Sequence, residues 1–318
     1  MSSLLVIGGS GFFGKSILDS YKRGLLKNFS IGQIYIFARN AEGLRLTNPE
    51  LMDDSIVLIN GDITSCESLP YAEYVIHAAA SADASKYLIA PECEKKNILA
   101  GTLHFCNLAK QYLQQSKILY VSSGAVYGSS SCEMRPFSED DHFARDDEIV
   151  EGKRHYAAAK RDSEAEIIAL GGCGLSVSIA RCFAFIGKYL PRHQHFAIGN
   201  FLQNGIDRRP IEINAINKVY RSYMYADDLV LWLLSILNRA SMLCPIYNVG
   251  SSEVIEMRDL GIMISRLYTV DVKFNPPNDS SPDFYVPSIV RAQKELGLNC
   301  SYGLLEAIQM TGWQIEAA

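Results

Sequence analysis

The first residues of the chain join an apolar run to a glycine-rich turn, and this pairing restricts the fold more than any other feature. Residues 3–7 read Ser-Leu-Leu-Val-Ile, which is typical of a short strand buried on both faces of a parallel sheet. Gly8, Gly11 and Gly14 follow at three-residue intervals, and apolar residues then recur at helical spacing over residues 12–21. Glycines between a strand and a helix let the backbone approach a pyrophosphate at the helix N-terminus. The pattern therefore favours a dinucleotide-binding turn over an ordinary glycine turn.

The same alternation of strand and helix patterns continues over the first part of the chain. Further strand-like runs and the two longest helical patterns occupy, in order, residues 34–37, 55–59, 73–77, 91–113, 117–121, 156–170 and 176–180. Alternating strands and helices predict parallel βαβ units with right-handed crossovers. We therefore expect an α/β fold, a Rossmann-type doubly wound parallel sheet with a smaller C-terminal substrate-binding lobe.

The pattern weakens after residue 182, which suggests where the domains divide. We expect residues 1–182 to form the dinucleotide-binding domain, with residues 222–247 returning to it. Residues 183–221 and 248–318 would form the substrate-binding lobe. Within it, residues 183–222 are predicted to be rich in loops, and residues 275–287, rich in Pro, Ser and Asp, to form a surface or active-site loop.

The charge balance and the apolar runs exclude several classes of protein. The chain has 35 Asp and Glu against 30 Lys and Arg, a net charge of −5, which argues against a nucleic-acid partner. Its longest apolar stretch, residues 229–237, falls far short of the roughly 20 residues that span a bilayer, so no membrane partner is expected. The eight cysteines form no C-x-x-C pair, and the N-terminus has no basic segment of a signal peptide. We expect a cytoplasmic enzyme with reduced thiols.

The end of the second strand indicates which dinucleotide is bound. An acidic residue there would contact the adenosine ribose of NAD, whereas an arginine accommodates the 2′-phosphate of NADP. The strand ends with Ala38 and Arg39, which favours NADP with Arg39 on the phosphate and leaves NAD as the alternative. Arg39 could also be an ordinary solvated charge. Asp62, after the third strand, could lie beside the adenine or cap a helix.

A tyrosine and a lysine four residues apart are the candidate acid–base pair. Tyr156 and Lys160 would lie on one face of a helix, and a nearby ammonium stabilises the phenolate form of a tyrosine. This spacing is common by chance. The case is strengthened by Ser123, at the end of the fifth strand, because ligands bind at the carboxyl ends of parallel strands. Ser123 could donate a hydrogen bond to a substrate oxygen, or could simply end the strand.

Taken in order, these motifs resemble the extended short-chain dehydrogenase/reductases of the NAD-dependent epimerase/dehydratase family. The resemblance covers nearly the whole chain. It is carried by the glycine turn, Gly61-Asp62, His77-Ala78-Ala79-Ala80, Asn97 with Gly101-Thr102, residues 122–128, Tyr156 with Lys160, residues 181–187, Arg221-Ser222-Tyr223, Ala226-Asp227-Asp228 and residues 247–250.

The resemblance implies roles for particular residues. Tyr156 would be the acid–base, Lys160 would hold the nicotinamide ribose, and Ser123 would orient the reacting oxygen. The expected cofactor-binding residues are Gly8, Gly11, Phe12, Phe13, Gly14, Arg39, Asp62, Ile63, Ala78, Ala79, Ala80, Asn97, Tyr156 and Lys160. Family members act mostly on nucleotide-linked sugars, so the expected substrate-binding residues are Ser123, Gly124, Ala125, Asn200 and Arg221, with Arg221 on the diphosphate.

The departures from the family pattern restrict the reaction. Dehydratases of the family carry an acidic pair where this chain has Gly124 and Ala125, so 4,6-dehydration is not expected. Ala184 and Lys188 replace an Asn and a Pro that are common in the family, which leaves the substrate-facing wall undefined. We expect an NADP-dependent ketoreductase acting on a nucleotide-linked hexose. The alternatives are a nucleotide-sugar epimerase that retains NAD(P) and a non-catalytic, cofactor-sensing binding protein.

Two further features have competing interpretations. His193 and His195 could lie on one face of a strand, but no carboxylate or cysteine nearby completes a metal site, so no bound metal is expected. The helical faces around residues 98–113 and 156–168 could form a four-helix contact between two copies of the chain, as in relatives. We therefore expect a homodimer, although the same faces could belong to the core of a monomer.

Overall fold

The computed structural model describes residues 2–80, 89–128, 134–192, 196–275 and 281–316. Its strands are β1 Ser2–Ile7, β2 Ile31–Ala38, β3 Ile56–Asn60, β4 Tyr74–His77, β5 Lys117–Ser123, β6 Ser176–Cys182, β7 Phe185–Ile186, β8 Ile211–Ile213, β9 Val219–Arg221, β10 Met224–Tyr225, β11 Ile246–Val249, β12 Ile255–Glu256, β13 Val272–Phe274 and β14 Asp283–Tyr285. Its α-helices are α1 Phe12–Lys22, α2 Leu44–Thr47, α3 Pro91–Tyr112, α4 Glu151–Gly172, α5 Ala197–Ile206, α6 Ala226–Asn238, α7 Met257–Tyr268, α8 Val290–Leu296 and α9 Leu304–Glu316.

The chain divides into two compact units. The first contains Met1–Val126, Val150–Cys182 and Val230–Tyr247, and the second contains the intervening segments and the C-terminal part. This grouping puts residues 127–149 with the second unit, whereas the sequence-based division assigned them to the dinucleotide-binding domain. The predicted domain boundaries stay a prediction. No helix in the described ranges is both long and apolar enough to cross a membrane.

A seven-stranded sheet forms the centre of the first unit. Its strand order is β11-β6-β5-β4-β1-β2-β3, and the neighbours from β6 to β3 pair in parallel. The chain winds outward from β1 in one direction through β2 and β3, then in the other through β4, β5 and β6. This order confirms the predicted Rossmann-type fold, and its reversal between β1 and β4 creates the crevice in which such sheets bind ligands.

The first strand is apolar because both of its faces are covered. Leu4, Leu5, Val6 and Ile7 have no exposed surface. Each buried aliphatic side chain of this kind stabilises the fold by roughly 1.5–3 kcal/mol. The strand therefore lies in the core of the sheet, and the turn that follows it is held on both sides. The Gly8 N–H donates to the Phe37 carbonyl at 2.8 Å, continuing the sheet ladder into the turn.

The second unit is built from short strands and small helices. It contains a parallel pair of β7 and β10, a three-stranded sheet in the order β12-β9-β14, and a parallel pair of β8 and β13. The expectation that residues 183–222 are mainly loop was wrong in part, because helix α5 and strands β7, β8 and β9 lie there. The predicted loop 275–287 contains strand β14, and its residues 276–280 lie outside the described ranges.

Gly14 is the residue of the first turn that tolerates a side chain least. A Cβ atom on Gly14 would lie 1.9 Å from the Gly9 carbonyl oxygen, whereas one on Gly172 would meet nothing within 4 Å. Because the clash is with backbone, we expect Gly14→Ala to lower the free energy of unfolding by about 3 kcal/mol or more. Gly172→Ala should change it by less than about 1 kcal/mol. Urea unfolding of both variants measures the difference, and equal effects would contradict the proposed clash.

Candidate active site

The turn after β1 approaches the end of β4 closely. Gly8 has a φ of +83°, and a Cβ atom on it would lie 2.7 Å from the Cα atom of Ala79. The Ala78 N–H donates to the Ile7 carbonyl at 2.8 Å, which holds the two strand ends together. The close approach at Gly8 therefore requires a backbone without a side chain at this point of the crevice.

The N-terminus of α1 opens from the same turn. Its N-cap is Gly11, and no side chain caps the first turn of the helix. Since a Cβ atom on Gly11 would meet only the Gly8 carbonyl at 3.6 Å, the turn has an open outer face. An uncapped helix N-terminus beside bare glycine backbone suits an anionic pyrophosphate. The residues that line this turn thus fit a dinucleotide such as NAD or NADP.

The ends of β2 and β3 bring Arg39 and Asp62 near each other. Asp62 accepts hydrogen bonds from the backbone N–H and the hydroxyl of Thr64, at 2.9 and 2.8 Å. These two bonds, together with the positive charge of Arg39, hold the pKa of Asp62 below its usual value. Asp62 thus closes a local turn, and within the described residues no helix follows directly that it could cap, so its place beside the adenine stays a prediction. Arg39 is exposed at the strand end, and Ile63 is buried in the core beneath.

Lys160 of α4 is buried against the end of β5. Its ammonium donates to the Val121 carbonyl at 2.9 Å and to the Tyr120 hydroxyl at 3.2 Å, and the residue is 2% exposed. Burial opposes its charged form, but Tyr120 and Tyr156 outweigh that effect, so the pKa of Lys160 lies above its usual value. The structure thus holds a protonated lysine close to the Tyr156 phenol, as the spacing on the helix predicted.

Tyr156 and Ser123 are both accessible parts of this region. Tyr156 packs against a small cluster formed by Ile98 and Ala159, and Ala80, which follows β4, packs against the same cluster. The Ser123 oxygen accepts a hydrogen bond from the Ala125 N–H at 3.1 Å, which caps a short 3-10 helix over Gly124–Tyr127. Because that bond uses a lone pair, the hydroxyl hydrogen of Ser123 stays able to donate to a substrate oxygen.

His77, the last residue of β4, is buried in the core near Lys160 and Tyr120. Its ring packs on Phe105 and Tyr120, with ring centroids 4.6 and 5.5 Å apart. Burial, and then the charge of Lys160, lower the pKa of His77 to about 3. His77 is therefore a neutral residue of the core, and it supports Tyr120, a neighbour of Lys160 that sequence reasoning missed.

The predicted substrate-binding residues Asn200 and Arg221 belong to the second unit. Asn200 lines a pocket of about 490 Å³ between α5 and β8, together with Asn204, Glu212 and Asn214. Arg221 is held in place: it forms an ion pair with Asp283 at 2.8 Å, and its guanidinium lies 5.6 Å from the centre of the Tyr285 ring. The other pocket residues were missed, because the sequence did not predict helix α5, which carries Asn204, or strand β8, which carries Glu212.

The structure adds little on three other residues that the sequence singled out. Asn97 is exposed on α3, and its amide contacts the Cys93 thiol at 3.7 Å, so its role near a cofactor stays a prediction. His193 and His195 lie outside the described residues. The seven cysteines within the described ranges are free thiols.

Comparison with known proteins gives consistent matches. The sequence profile described as the NAD dependent epimerase/dehydratase family matches residues 4–250. UDP-glucuronic acid decarboxylase 1 of Arabidopsis thaliana is 24% identical over 319 residues, which cover 96% of this chain and 68% of that protein. UDP-glucuronate 4-epimerase 3 of the same plant is 25% identical over 323 residues, covering 93% and 72%. A dTDP-glucose 4,6-dehydratase from Streptomyces venezuelae, solved with NAD and TYD bound, has a TM-score of 0.80 at 19% identity, covering 99% and 97% of the two chains.

The burial of His77 predicts a loss of stability in mild acid. Its pKa is about 3 in the folded protein and roughly 6.5 when unfolded, so the unfolded chain binds a proton first as the pH falls. The stability that neutral His77 contributes is fully present above about pH 6.5 and is lost as the pH falls toward 3. Between pH 7 and pH 5 the free energy of unfolding of the wild type should fall by about 2 kcal/mol more than that of the His77→Phe variant.

Urea unfolding of both proteins at pH 7 and pH 5 measures this difference. His142→Gln is the control, because His142 is exposed and its replacement should leave the acid loss of the wild type unchanged. If His77→Phe loses as much stability as the wild type between the two pH values, the histidine is not responsible.

Proposed function

The chain belongs to the NAD-dependent epimerase/dehydratase family, and from that premise we propose that it is an enzyme that changes a nucleotide-linked sugar by oxidation and re-reduction of one sugar carbon. Its favoured reaction is epimerisation with NAD(P) retained. The observation that carries the proposal is the buried ammonium of Lys160, held by Tyr120 and Val121 beside the Tyr156 phenol. A charged lysine in this position has a clear use only if the phenol exchanges a proton.

The proposed reaction assigns one task to each of three side chains. The bound dinucleotide supplies the acceptor and donor of the hydride. Tyr156, as phenolate, removes the proton from the sugar hydroxyl as that carbon is oxidised, and returns it when the carbon is reduced. Lys160 stabilises the phenolate, and the Ser123 hydroxyl donates to the same sugar oxygen, which fixes its position. Reduction from the opposite face of the sugar inverts the carbon.

The proposed substrate is a nucleoside-diphosphate hexose or hexuronate. The two plant relatives are named for reactions of UDP-glucuronic acid, which supports this class. In the second unit, Arg221 would contact the diphosphate and Asn200 the nucleotide side of the substrate. Asp283 and Tyr285 fix the Arg221 guanidinium, so it offers donors to an anion with little loss of side-chain entropy.

We do not assign a 4,6-dehydratase activity to the chain. Gly124 and Ala125 follow the active-site serine and have no group that could move a second proton. Loss of water from a sugar needs such an acid in addition to the phenol, whereas epimerisation and ketone reduction need only one proton-moving group at the reacting oxygen.

One observation favours a second candidate function, an NADPH-dependent ketoreductase. Arg39 is exposed at the end of β2, where the 2′-phosphate of NADP would be bound. NADPH is the cofactor usually used for net reduction. In that reaction Tyr156 would protonate the oxygen of a keto sugar.

A non-catalytic, cofactor-sensing protein is the third candidate, and it would have no need of Tyr156.

The remaining expectations about partners and location stay proposals. A homodimer through α3 and α4 is supported by two exposed apolar residues on these adjacent helices, Leu103 and Ile168. The proposed site is made of residues from a single chain, so it does not depend on this assembly. Cytoplasmic location is inferred from the sequence alone.

The first experiment tests epimerisation directly. Purified protein is incubated with UDP-glucose or UDP-glucuronic acid without added cofactor, and products are followed by NMR. We expect inversion at one sugar carbon with no net change in dihydronicotinamide absorbance. Tyr156→Phe should lower kcat by about 100-fold or more, because the proton-moving group is lost.

The outcomes separate the three candidates. Turnover that requires added NADPH and consumes it would favour the ketoreductase. If neither reaction occurs, and Tyr156→Phe binds cofactor and sugar nucleotides like the wild type, the non-catalytic candidate gains support and the enzymatic proposal fails.

A second experiment tests the choice of cofactor. If Arg39 binds the 2′-phosphate, Arg39→Ala should weaken NADP binding by about 10- to 100-fold, the loss expected for one charge-assisted contact, and leave NAD binding unchanged. Arg45→Ala is the matched control, because Arg45 is an exposed arginine nearby that is paired with Glu42 at 2.7 Å. Calorimetric titration measures the affinities of the wild type and of both variants for NADP and for NAD. Equal binding of NADP by wild type and Arg39→Ala would exclude the phosphate role.

A further inference from the structure

A second charged group is buried below the candidate active site, and the proposed reaction does not use it. The side chains of Glu164 and Arg181 are 4% and 6% exposed, and they form an ion pair at 2.8 Å. The Arg181 Nε atom also lies 3.1 and 3.2 Å from the two carboxylate oxygens. The Ser122 hydroxyl donates to the same carboxylate at 2.6 Å. One carboxylate of α4 is thus bound to both β5 and β6.

Two members of this network, Glu164 and Ser122, are close along the chain to groups of the candidate site, and the third is paired with one of them. Glu164 is one helical turn after Lys160, on the same face of α4. Ser122 immediately precedes Ser123 in β5, and the sheet register pairs Ser122 with Arg181 of β6. The network therefore links the helix that carries the phenol and the ammonium to the strand end that carries the serine hydroxyl.

Stability alone does not account for a buried ion pair here. Removing two charges from water is costly, and a well-packed apolar trio of similar volume would hold a helix on a sheet as well or better. Apolar contact is non-directional, however, and allows small sliding movements. A guanidinium that grips a carboxylate with two nitrogens fixes both distance and orientation. What the network adds is therefore a defined position of α4 along β5.

We propose that Glu164, bound by Arg181 and Ser122, is a positioning residue. It fixes where α4 lies along β5, and so fixes the positions of Tyr156 and Lys160 relative to Ser123. The role rests on the proposed function, in which the Tyr156 and Ser123 hydroxyls contact one sugar oxygen together. Glu164 itself contacts no reacting atom. An error of about 1 Å in such a pair is enough to lower the rate about 100-fold. Lys160 would also contact the cofactor, but most of the expected cofactor contacts are at the glycine turn and the strand ends, so cofactor affinity should change much less than kcat.

The test replaces the ion pair by apolar side chains of similar length. Glu164→Met/Arg181→Met removes both charges together, so no lone charge is left buried. We expect a melting temperature and cofactor affinity close to those of the wild type, an unchanged KM, and a kcat lowered by about 10- to 100-fold. The matched control is Lys95→Met/Asp162→Met, which removes a solvent-facing ion pair between α3 and α4 and should leave kcat unchanged.

If the ion pair only stabilised the fold, the double variant would have a lower melting temperature and an unchanged kcat per folded molecule. That result would overturn the proposal. Should the double variant fail to fold, Arg181→Lys decides. It keeps the charge but loses the two-nitrogen grip, so kcat should fall with KM and cofactor affinity unchanged. Wild-type kcat in Arg181→Lys would count against the proposal.

A crystal structure separates this proposal from the proposed function. In the double variant, or in Arg181→Lys if the double variant does not fold, the distance between the Ser123 and Tyr156 hydroxyls should change by about 0.5 Å or more, even if no sugar nucleotide is turned over. An unchanged distance would refute the positioning role, while absence of turnover in the wild type would refute only the proposed function.

Discussion

Burial of a positive charge at the end of β5 is the constraint on which the candidate site depends. Lys160 is almost fully buried, and an ammonium in that position is tolerable only if nearby oxygens replace water. The Tyr120 hydroxyl and the Val121 carbonyl do so. The charge also acts on a neighbour, since together with burial it lowers the pKa of His77 and keeps that ring neutral. The fold therefore places a fixed positive charge on the helix that carries Tyr156, one turn away from it.

The sequence predicted the parts of the first unit that have strong local signals. The fully apolar β1 and the glycine turn were recognised because a doubly buried strand and a turn without side chains leave little choice of residue type. The phenol and ammonium on α4 were recognised from their spacing together with Ser123 and the other motifs of the family. The start of α4 was missed by five residues, because residues 151–155 are polar and contain a glycine. The partners of Lys160 were missed for another reason: Tyr120 reads as an ordinary strand aromatic until the helix packs against it.

The second unit was predicted less well because its order comes from long-range contacts. Strand β9 has only three residues, and it is paired in parallel with β14 and antiparallel with β12, which are distant in sequence. No local period identifies such a strand. Helix α5 lies between Pro191 and Pro210 in a segment rich in glycine and arginine, which resembles loop composition. The burial of one face of α5 against its neighbours outweighed the weak helix propensity of this segment. The Glu164–Arg181 ion pair was missed for the same reason: it is a long-range contact without a local signal, and charged residues are normally expected at the surface.

In the proposed reaction, the same three side chains of the first unit would serve both oxidation and reduction of a sugar carbon. The phenol, the ammonium and the serine hydroxyl can move one proton at one oxygen, and that step is common to oxidation and to reduction. The fate of the oxidised sugar depends on which other side chains reach it. In this chain the 3-10 helix after Ser123 begins with Gly124 and Ala125, and neither carries an acid or a base. Gly124 and Ala125 therefore offer no acid or base to an oxidised sugar, which supports return of the hydride as the next step of the proposed reaction.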